Sequence, residues 1–322
     1  MPTLSPMRIV CFGGGTGMPA LLSGLKTHPF LEVTAVVNMF DTGGSSGELK
    51  DRFGILPPGD VLKCVLALAE DEVSARRILL KRIQNAAHPN HTGGNVLLMG
   101  LEKVYGNYLD AVHALSQILS IHGRVLPVTQ SVTTLCAEYA DGSMARGEVH
   151  VDEGIGNGKR LTRLFLDPQV DAEPLTIEAI RTADVLVVGP GSFYTSSLPN
   201  VLPRGIREAI RASSARLVNI ANLLTEAKGM EEFSLERIRA EVEAYAGRSV
   251  DIQIANTRMP DESTREAYQR EGKRPLLATP EDLQNPIVIG VDVWQDPHIA
   301  RHDSARLAET LIRVIQGART QI

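Results

Sequence analysis

Short apolar runs recur along the chain, and each stops at a glycine or a polar turn. Arg8-Ile9-Val10-Cys11-Phe12 is the first, and Val33 to Met39, Val185 to Gly189, Arg216 to Ile220 and Val250 to Ile254 repeat it. None alternates apolar with polar positions as a half-exposed strand does. Each therefore reads as a strand buried on both faces, the habit of parallel sheets covered by helices. Helical periods lie between them, over Ala20 to Lys26, Val61 to Ala69 and Glu231 to Tyr245, and Arg301-His302-Asp303-Ser304 precedes another that runs to about Ile315 and stops near Gly317. Asp71 to Ile83 also reads as a helix, acidic at its start and basic at its end, with Glu72 and Arg76 spaced as an i,i+4 pair. Strand and helix in alternation predict an α/β fold, a doubly wound and mainly parallel sheet.

Two segments break that rhythm. From Ser131 to Leu166 the pattern reads as strands without helices: Thr133 to Tyr139 and Ala145 to Val151 flank a turn at Asp141-Gly142-Ser143. This predicts an antiparallel hairpin region, about 131–166, inserted into a single domain over residues 1–322. Thr257 to Pro275 is polar and charged, with almost no apolar period, and is expected as a solvated loop with a short helix or as a lid.

Composition narrows the class. The 322 residues carry 33 Lys+Arg against 38 Asp+Glu, a formal charge of −5, and 4% aromatics, which argues against a general nucleic-acid binder. No apolar run approaches the ~20 residues needed to span a bilayer. The start, MPTLSPMRIVCF, lacks a basic segment leading into a long apolar stretch, so no signal peptide is expected. Cys11, Cys64 and Cys136 are odd in number, widely spaced and outside any C-x-x-C pair, which excludes a zinc ribbon or a disulfide framework. Buried thiols in a reducing, cytoplasmic compartment are the expectation, and a homodimer is the common oligomer.

The chemistry lies in three glycine-rich turns. Gly13-Gly14-Gly15-Thr16-Gly17-Met18-Pro19-Ala20 follows the first strand and opens a helix, and Gly15-x-Gly17-x-x-Ala20 keeps the dinucleotide-binding spacing. Its glycines admit a phosphate to the backbone, and the N–H groups at the helix start carry partial positive charge. Asp41-Thr42-Gly43-Gly44-Ser45-Ser46-Gly47 ends the second strand with more N–H and O–H donors, where a dehydrogenase would use its acid to hold a ribose. Gly189-Pro190-Gly191-Ser192-Phe193-Tyr194-Thr195-Ser196 is the third, and it lacks the elbow of a serine hydrolase. The chain has no G-x-x-x-x-G-K-[ST], so a P-loop NTPase is not expected. Three such turns at strand ends should converge on one crevice. Asp60, after the rigid turn Gly54 to Gly59, is either a helix cap or, with Asp41, an oxygen ligand for Mg²⁺ on a diphosphate. His91-Thr92-Gly93-Gly94-Asn95 offers a polar wall; Asp303 or Ser304 caps the last helix, and Arg301 turned inward would clamp a phosphate.

Together, Gly13 to Gly17, Asp41-x-Gly43-Gly44-Ser45-Ser46-Gly47, Gly54 to Asp60, His91-x-x-Gly94-Asn95, Gly189 to Ser196 and Arg301-His302-Asp303 resemble the gluconeogenesis factor family. That family is the bacterial branch of the CofD-like superfamily, which contains 2-phospho-L-lactate transferase. The likeness runs from about Arg8 to Ile315. It implies a Rossmann-like sheet and a nucleotide-diphosphate ligand. For the gluconeogenesis factor branch it implies binding of UDP-sugars such as UDP-N-acetylglucosamine, and a regulatory role in cell shape and wall synthesis on gluconeogenic carbon. For the transferase branch it implies Mg²⁺-dependent transfer of a phospholactyl group from a guanylyl-activated donor to the deazaflavin Fo.

Asp41 and Asp60 fall on positions resembling that branch's metal-binding aspartates, while Thr16 and Arg301 match nucleotide-sugar positions of the other. The expected nucleotide and phosphate contacts are Gly14, Gly15, Thr16, Gly17, Gly44, Ser45, Ser46, Asn95, Gly191, Ser192, Tyr194, Thr195, Asn222 and Arg301. Relatives usually carry a second acid where Thr42 stands, and Asn222 to Gly229 keeps Asn222 and Thr225 but not the usual Gln-Pro-Gly-Glu-Thr ending.

Overall fold

The structure is a computed structural model and describes residues 6–43, 56–82, 91–296 and 298–317. The first half runs β1 (Met7–Gly13), α1 (Gly17–Leu25), β2 (Leu31–Val37), α2 (Gly59–Leu68), α3 (Glu72–Leu79), α4 (Gly93–Tyr105), α5 (Tyr108–Ile118) and β3 (Arg124–Pro127). An inserted unit follows: β4 (Thr134–Tyr139), β5 (Met144–Arg146), α6 (Glu148–Gly156) and β6 (Leu161–Asp167). The second half runs α7 (Pro174–Thr182), β7 (Val185–Val188), α8 (Ile206–Ala212), β8 (Arg216–Ile220), α9 (Leu235–Ala246), β9 (Ile252–Asn256), α10 (Glu262–Arg270) and β10 (Val288–Val291). A small hairpin, β11 (Trp294–Asp296) and β12 (Ile299–His302), leads into α11 (Ser304–Ile315).

Seven strands form one sheet in the order β10-β9-β8-β7-β1-β2-β3, and every pairing in it is parallel. The chain winds outward from β1 in one direction and later from β7 in the other. Right-handed crossovers then place helices on both faces. Every residue of β7 is buried, as are the last five of β1 and of β2, which is why these stretches contain hardly a polar side chain. The order reverses between β1 and β7, and at such a switch point the loops leaving two adjacent strands splay apart to open a crevice.

The insertion differs from the sequence expectation in one element. β4 pairs with β5 and β6 in an antiparallel three-stranded sheet, and the turn falls at Asp141 to Ser143 as expected. The run Ala145 to Val151 is not one strand, however: β5 stops at Arg146 and α6 begins at Glu148. Val149 and Val151 alternate with His150 and Asp152, which mimics strand periodicity. Gly147 decides the matter, since it takes φ +96° and its carbonyl accepts from Val151 N–H at 3.0 Å, starting a helical turn. Thr257 to Pro275 contains α10, capped by Asp261, whose side chain accepts from Thr264 N–H at 2.7 Å.

Cap chemistry accounts for other boundaries. Asp71 caps α3, Thr92 caps α4, Ser234 caps α9 and Asp303 caps α11. α11 lies directly across α1: a Cβ on Gly24 would stand 2.1 Å from the Ser304 carbonyl oxygen, so only glycine fits the crossing. This contact, in the last turn of α1, lays the distant Arg301–Ser304 corner alongside that helix.

Candidate functional site

The first and third turns, the two that leave β1 and β7, touch. A Cβ on Gly17 would lie 2.7 Å from the Pro190 carbonyl group and 2.8 Å from Gly191 N, so the two loops pack backbone on backbone. Buried amides staple this junction. Asn200 donates to the carbonyls of Gly13 (3.2 Å) and Ser196 (2.7 Å), and Asn38 donates to the Thr195 carbonyl at 3.0 Å. Gly44, Ser45 and Ser46 of the second turn lie outside the described residues, as does Gly54.

The two touching loops differ in what their N–H groups do. Gly191 N–H donates to Asn222 Oδ1 at 3.1 Å, Phe193 N–H to Glu226 Oε1, and the Ser192 hydroxyl to Glu226 Oε2 at 3.2 Å. Asn222 returns its own amide to the Gly191 carbonyl (2.8 Å) and to Glu226 Oε1 (2.7 Å). The third turn is thus satisfied from within. By contrast, among the described residues nothing accepts from the N–H groups of Gly14, Gly15, Thr16 or Gly17, and the Thr16 side chain does not cap α1. Orphan donors at the start of a helix are an anion site in waiting.

Two recesses meet at Thr16. The larger, about 650 Å³, is walled by the third turn, by Asn222 to Ala227, by Asp152 of α6, by His302 and by Tyr268, Glu271 and Lys273. The smaller, about 330 Å³, lies between the starts of α1 and α11 and holds Lys63, Arg76, Glu72 and Arg301. Burial pushes the Glu226 carboxyl up to about 8, against the hydrogen bond it accepts from Phe193 N–H. Burial also raises Asp152, although the Thr195 side chain favours its charged form. His302, buried with Nε2 3.4 Å from the Ala221 carbonyl oxygen, is lowered to about 4 and is neutral at pH 7.

Asp60 does not cap its helix; Pro58 occupies that place. Its buried carboxylate rests on Gly14, where a Cβ would stand 2.5 Å from Oδ2, and its Oδ1 accepts from Lys63 Nζ at 2.9 Å. Burial works against the Lys63 ammonium, but the charges of Asp60 and Asp41 outweigh it and raise the group. Asp41 Oδ1 accepts Gly43 N–H at 2.8 Å. Glu148 stands beside it, pushed up to about 8 by burial, then by the Asp41 charge. Asp41 and Asp60 therefore share the neighbourhood of Lys63. Among the described residues no three His, Cys, Asp or Glu side chains gather as a metal-holding group, and Lys63 already supplies the positive charge beside Asp60.

The remaining expected residues are dispersed. Gly15 to Gly17, Gly191, Ser192 and Asn222 lie at the mouth, Gly14 is buried against Asp60, and Arg301 lines the smaller recess. Tyr194 does not line either recess; it is buried and packs edge-on against Phe193 and Phe233. Thr195 is fully buried with its hydroxyl 2.5 Å from that of Ser192, and Asn95 is buried in the first turn of α4. Cys11, Cys64 and Cys136 are free and buried. Sequence reading missed Lys63, Glu148, Asp152, Glu226 and Tyr268. For Glu148 and Asp152 a signal existed: four residues apart, they share one face if the segment is helical.

The sheet order and the uncapped α1 at its switch point define a Rossmann-like α/β protein whose open N–H groups face two recesses. Among the described residues no helix is long and apolar enough to cross a membrane. The family described as 2-phospho-L-lactate transferase CofD matches residues 9–297, and the chain belongs to that family. Within it, the chain is 34% identical to the gluconeogenesis factor of Bacillus subtilis, over 96% of this chain and 98% of the relative. It is also 34% identical to that of Halalkalibacterium halodurans, over 95% of each. The crystal structure of a UPF0052 family member from Bacillus halodurans superposes with a TM-score of 0.89 at 32% identity, over 96% of this chain and 99% of that one.

Proposed function

We propose that this protein is a cytoplasmic gluconeogenesis factor that binds a nucleotide-diphosphate sugar of the UDP-N-acetylglucosamine kind and regulates cell shape and wall synthesis during gluconeogenic growth. The observation that carries the ligand class is the run of open N–H groups at Gly15 to Gly17, at the uncapped start of α1 and between two recesses. A helix N-terminus stabilises an anion by about 0.3–1 kcal/mol, or up to about 2 in a partly buried geometry. Backbone donors and nearby cations add charge-assisted hydrogen bonds. The larger recess, at about 650 Å³, is spacious enough for a nucleoside or a sugar in addition to phosphate. Titration calorimetry with UDP-N-acetylglucosamine tests the reading. A saturable heat at one site per chain supports it, and absence of heat and of thermal shift at millimolar ligand refutes it.

The family's transferase description supports a second reading, transfer from a nucleotide-diphosphate donor to Fo. It is distinguished by product: phospholactyl-Fo formed with Mg²⁺ and a guanylyl-activated donor supports it, and nucleotide binding without turnover supports the regulatory role.

A further inference from the structure

The two recesses differ in charge. The larger is lined by the carboxyl groups of Asp152, Glu226 and Glu271 against one cation, Lys273, which is already paired with Glu271 at 2.7 Å. His302 adds no charge at pH 7, because burial lowers it to about 4. The smaller recess holds Lys63, Arg76 and Arg301 against Glu72. Lys63 and Arg76 are engaged by Asp60 (2.9 Å) and Glu72 (2.7 Å), and Arg301 is exposed with no ion pair among the described residues. A diphosphate placed in the larger recess would face the Asp152 and Glu271 carboxyl groups and a third turn whose donors at Gly191, Ser192 and Phe193 already serve Asn222 and Glu226. Placed on the other side of Thr16, it would meet open N–H groups and Arg301.

We propose that the ligand straddles Thr16, with its diphosphate on the N–H groups of Gly15 to Gly17 toward Arg301 and its uncharged, hydroxyl-bearing arm in the larger recess, where the Asp152 carboxylate accepts hydrogen bonds from the hydroxyls. This rests on the nucleotide-diphosphate reading above and adds an orientation and a specificity to it. Glu226 is then a positioning residue: it fills the third turn as an internal hydrogen-bond acceptor and holds the wall against which the arm lies. Asp152 is exposed to the recess on α6 and serves the hydroxyl-bearing part of the ligand rather than phosphate. The larger recess consequently selects against an arm that carries negative charge of its own.

Inorganic pyrophosphate has the charged centre without an arm, so the two halves can be titrated apart. Calorimetry on the full chain is run with pyrophosphate and with UDP-N-acetylglucosamine, for wild type, Asp152→Ala and Arg301→Gln, with circular dichroism confirming that each variant is folded. Loss of a hydrogen bond to a charged group means that Asp152→Ala should weaken the nucleotide sugar at least about tenfold, while pyrophosphate binding stays within about twofold. Arg301→Gln should weaken both probes. Loss of pyrophosphate binding in Asp152→Ala, or an unchanged nucleotide-sugar affinity, overturns the orientation while leaving nucleotide binding in place. Wild-type protein that binds neither probe removes the ligand class itself, and the orientation with it.

Discussion

The Glu226 carboxylate accepts the backbone N–H of Phe193, thirty-three residues before it in the chain. Through this bond, and through Ser192 and Asn222, the third glycine turn is closed by the protein's own carboxyl group. Two loops that look alike in sequence are therefore unlike in their hydrogen bonding: one satisfied from within, the other open.

The carboxyl groups near the mouth make stability depend on pH. Glu226 and Glu148 both sit at about 8 in the fold against an ordinary 4.5. Between those values the folded chain holds protons that the unfolded chain has released, so stability falls as pH rises toward 8. His302 runs the other way, its lowered value adding stability as pH rises from about 4 to 6.5. The window from pH 6.5 to 8 thus isolates the carboxyls. Glu226→Gln should show a smaller fall in melting temperature across that window than wild type. An equal fall would mean that Glu226 is not the group titrating.

Gly17 is where the two loops meet. Gly17→Ala forces a methyl group into the Pro190 carbonyl, backbone that cannot rotate away, and should cost roughly 1–3 kcal/mol in urea unfolding. Gly100, on the exposed face of α4, has nothing within 4 Å of its virtual Cβ. Gly100→Ala should stabilise by about 0.5–1 kcal/mol through the unfolded chain's lost freedom. The two substitutions moving stability in the same direction would contradict the loop contact.

How far the sequence could be read divides along physical lines. The buried strands were legible because burial on both faces writes an uninterrupted apolar run, as in Val185 to Val188. The first turn was legible because glycine spacing and a following helix are local. Glu226 was not: its importance comes from a bond to Phe193 that only the fold creates, and a single glutamate in Leu224-Thr225-Glu226-Ala227 carries no local mark. α6 was misread because Val149 and Val151 alternate, while the conformation of Gly147 that stops the strand leaves no trace in periodicity. Tyr194 belonged to a motif yet packs on Phe233, a contact set by tertiary structure.

Asp60 and Lys63 form a pair whose acid is buried and whose base is partly exposed. Asp60→Asn leaves the ammonium facing an amide and should lose roughly 1–3 kcal/mol. Adding Lys63→Met to that variant should recover part of the loss, because the two changes are coupled. Strictly additive losses in a urea double-mutant cycle would rule out the pairing.

Tyr268 ties α10 to the hairpin before α11, its hydroxyl accepting from Ala300 N–H at 3.1 Å. Of the residues in α10, Thr264 alone is buried, and the Tyr268 bond joins the Asp261–His298 pair (2.9 Å) in tying this segment to the hairpin. Tyr268→Phe should cost about 1 kcal/mol and speed hydrogen exchange over residues 262–270. Unchanged exchange there would show that α10 is held by other contacts.

In the proposed function a diphosphate is received by the open amides at the start of α1. A crystal structure of the protein soaked with UDP-N-acetylglucosamine tests it most directly. Phosphate oxygens are expected within hydrogen-bonding distance of the Gly15, Thr16 and Gly17 N–H groups, with the Glu226–Phe193 bond intact. Phosphate bound at the third turn in place of Glu226, or away from both loops, would contradict the claim.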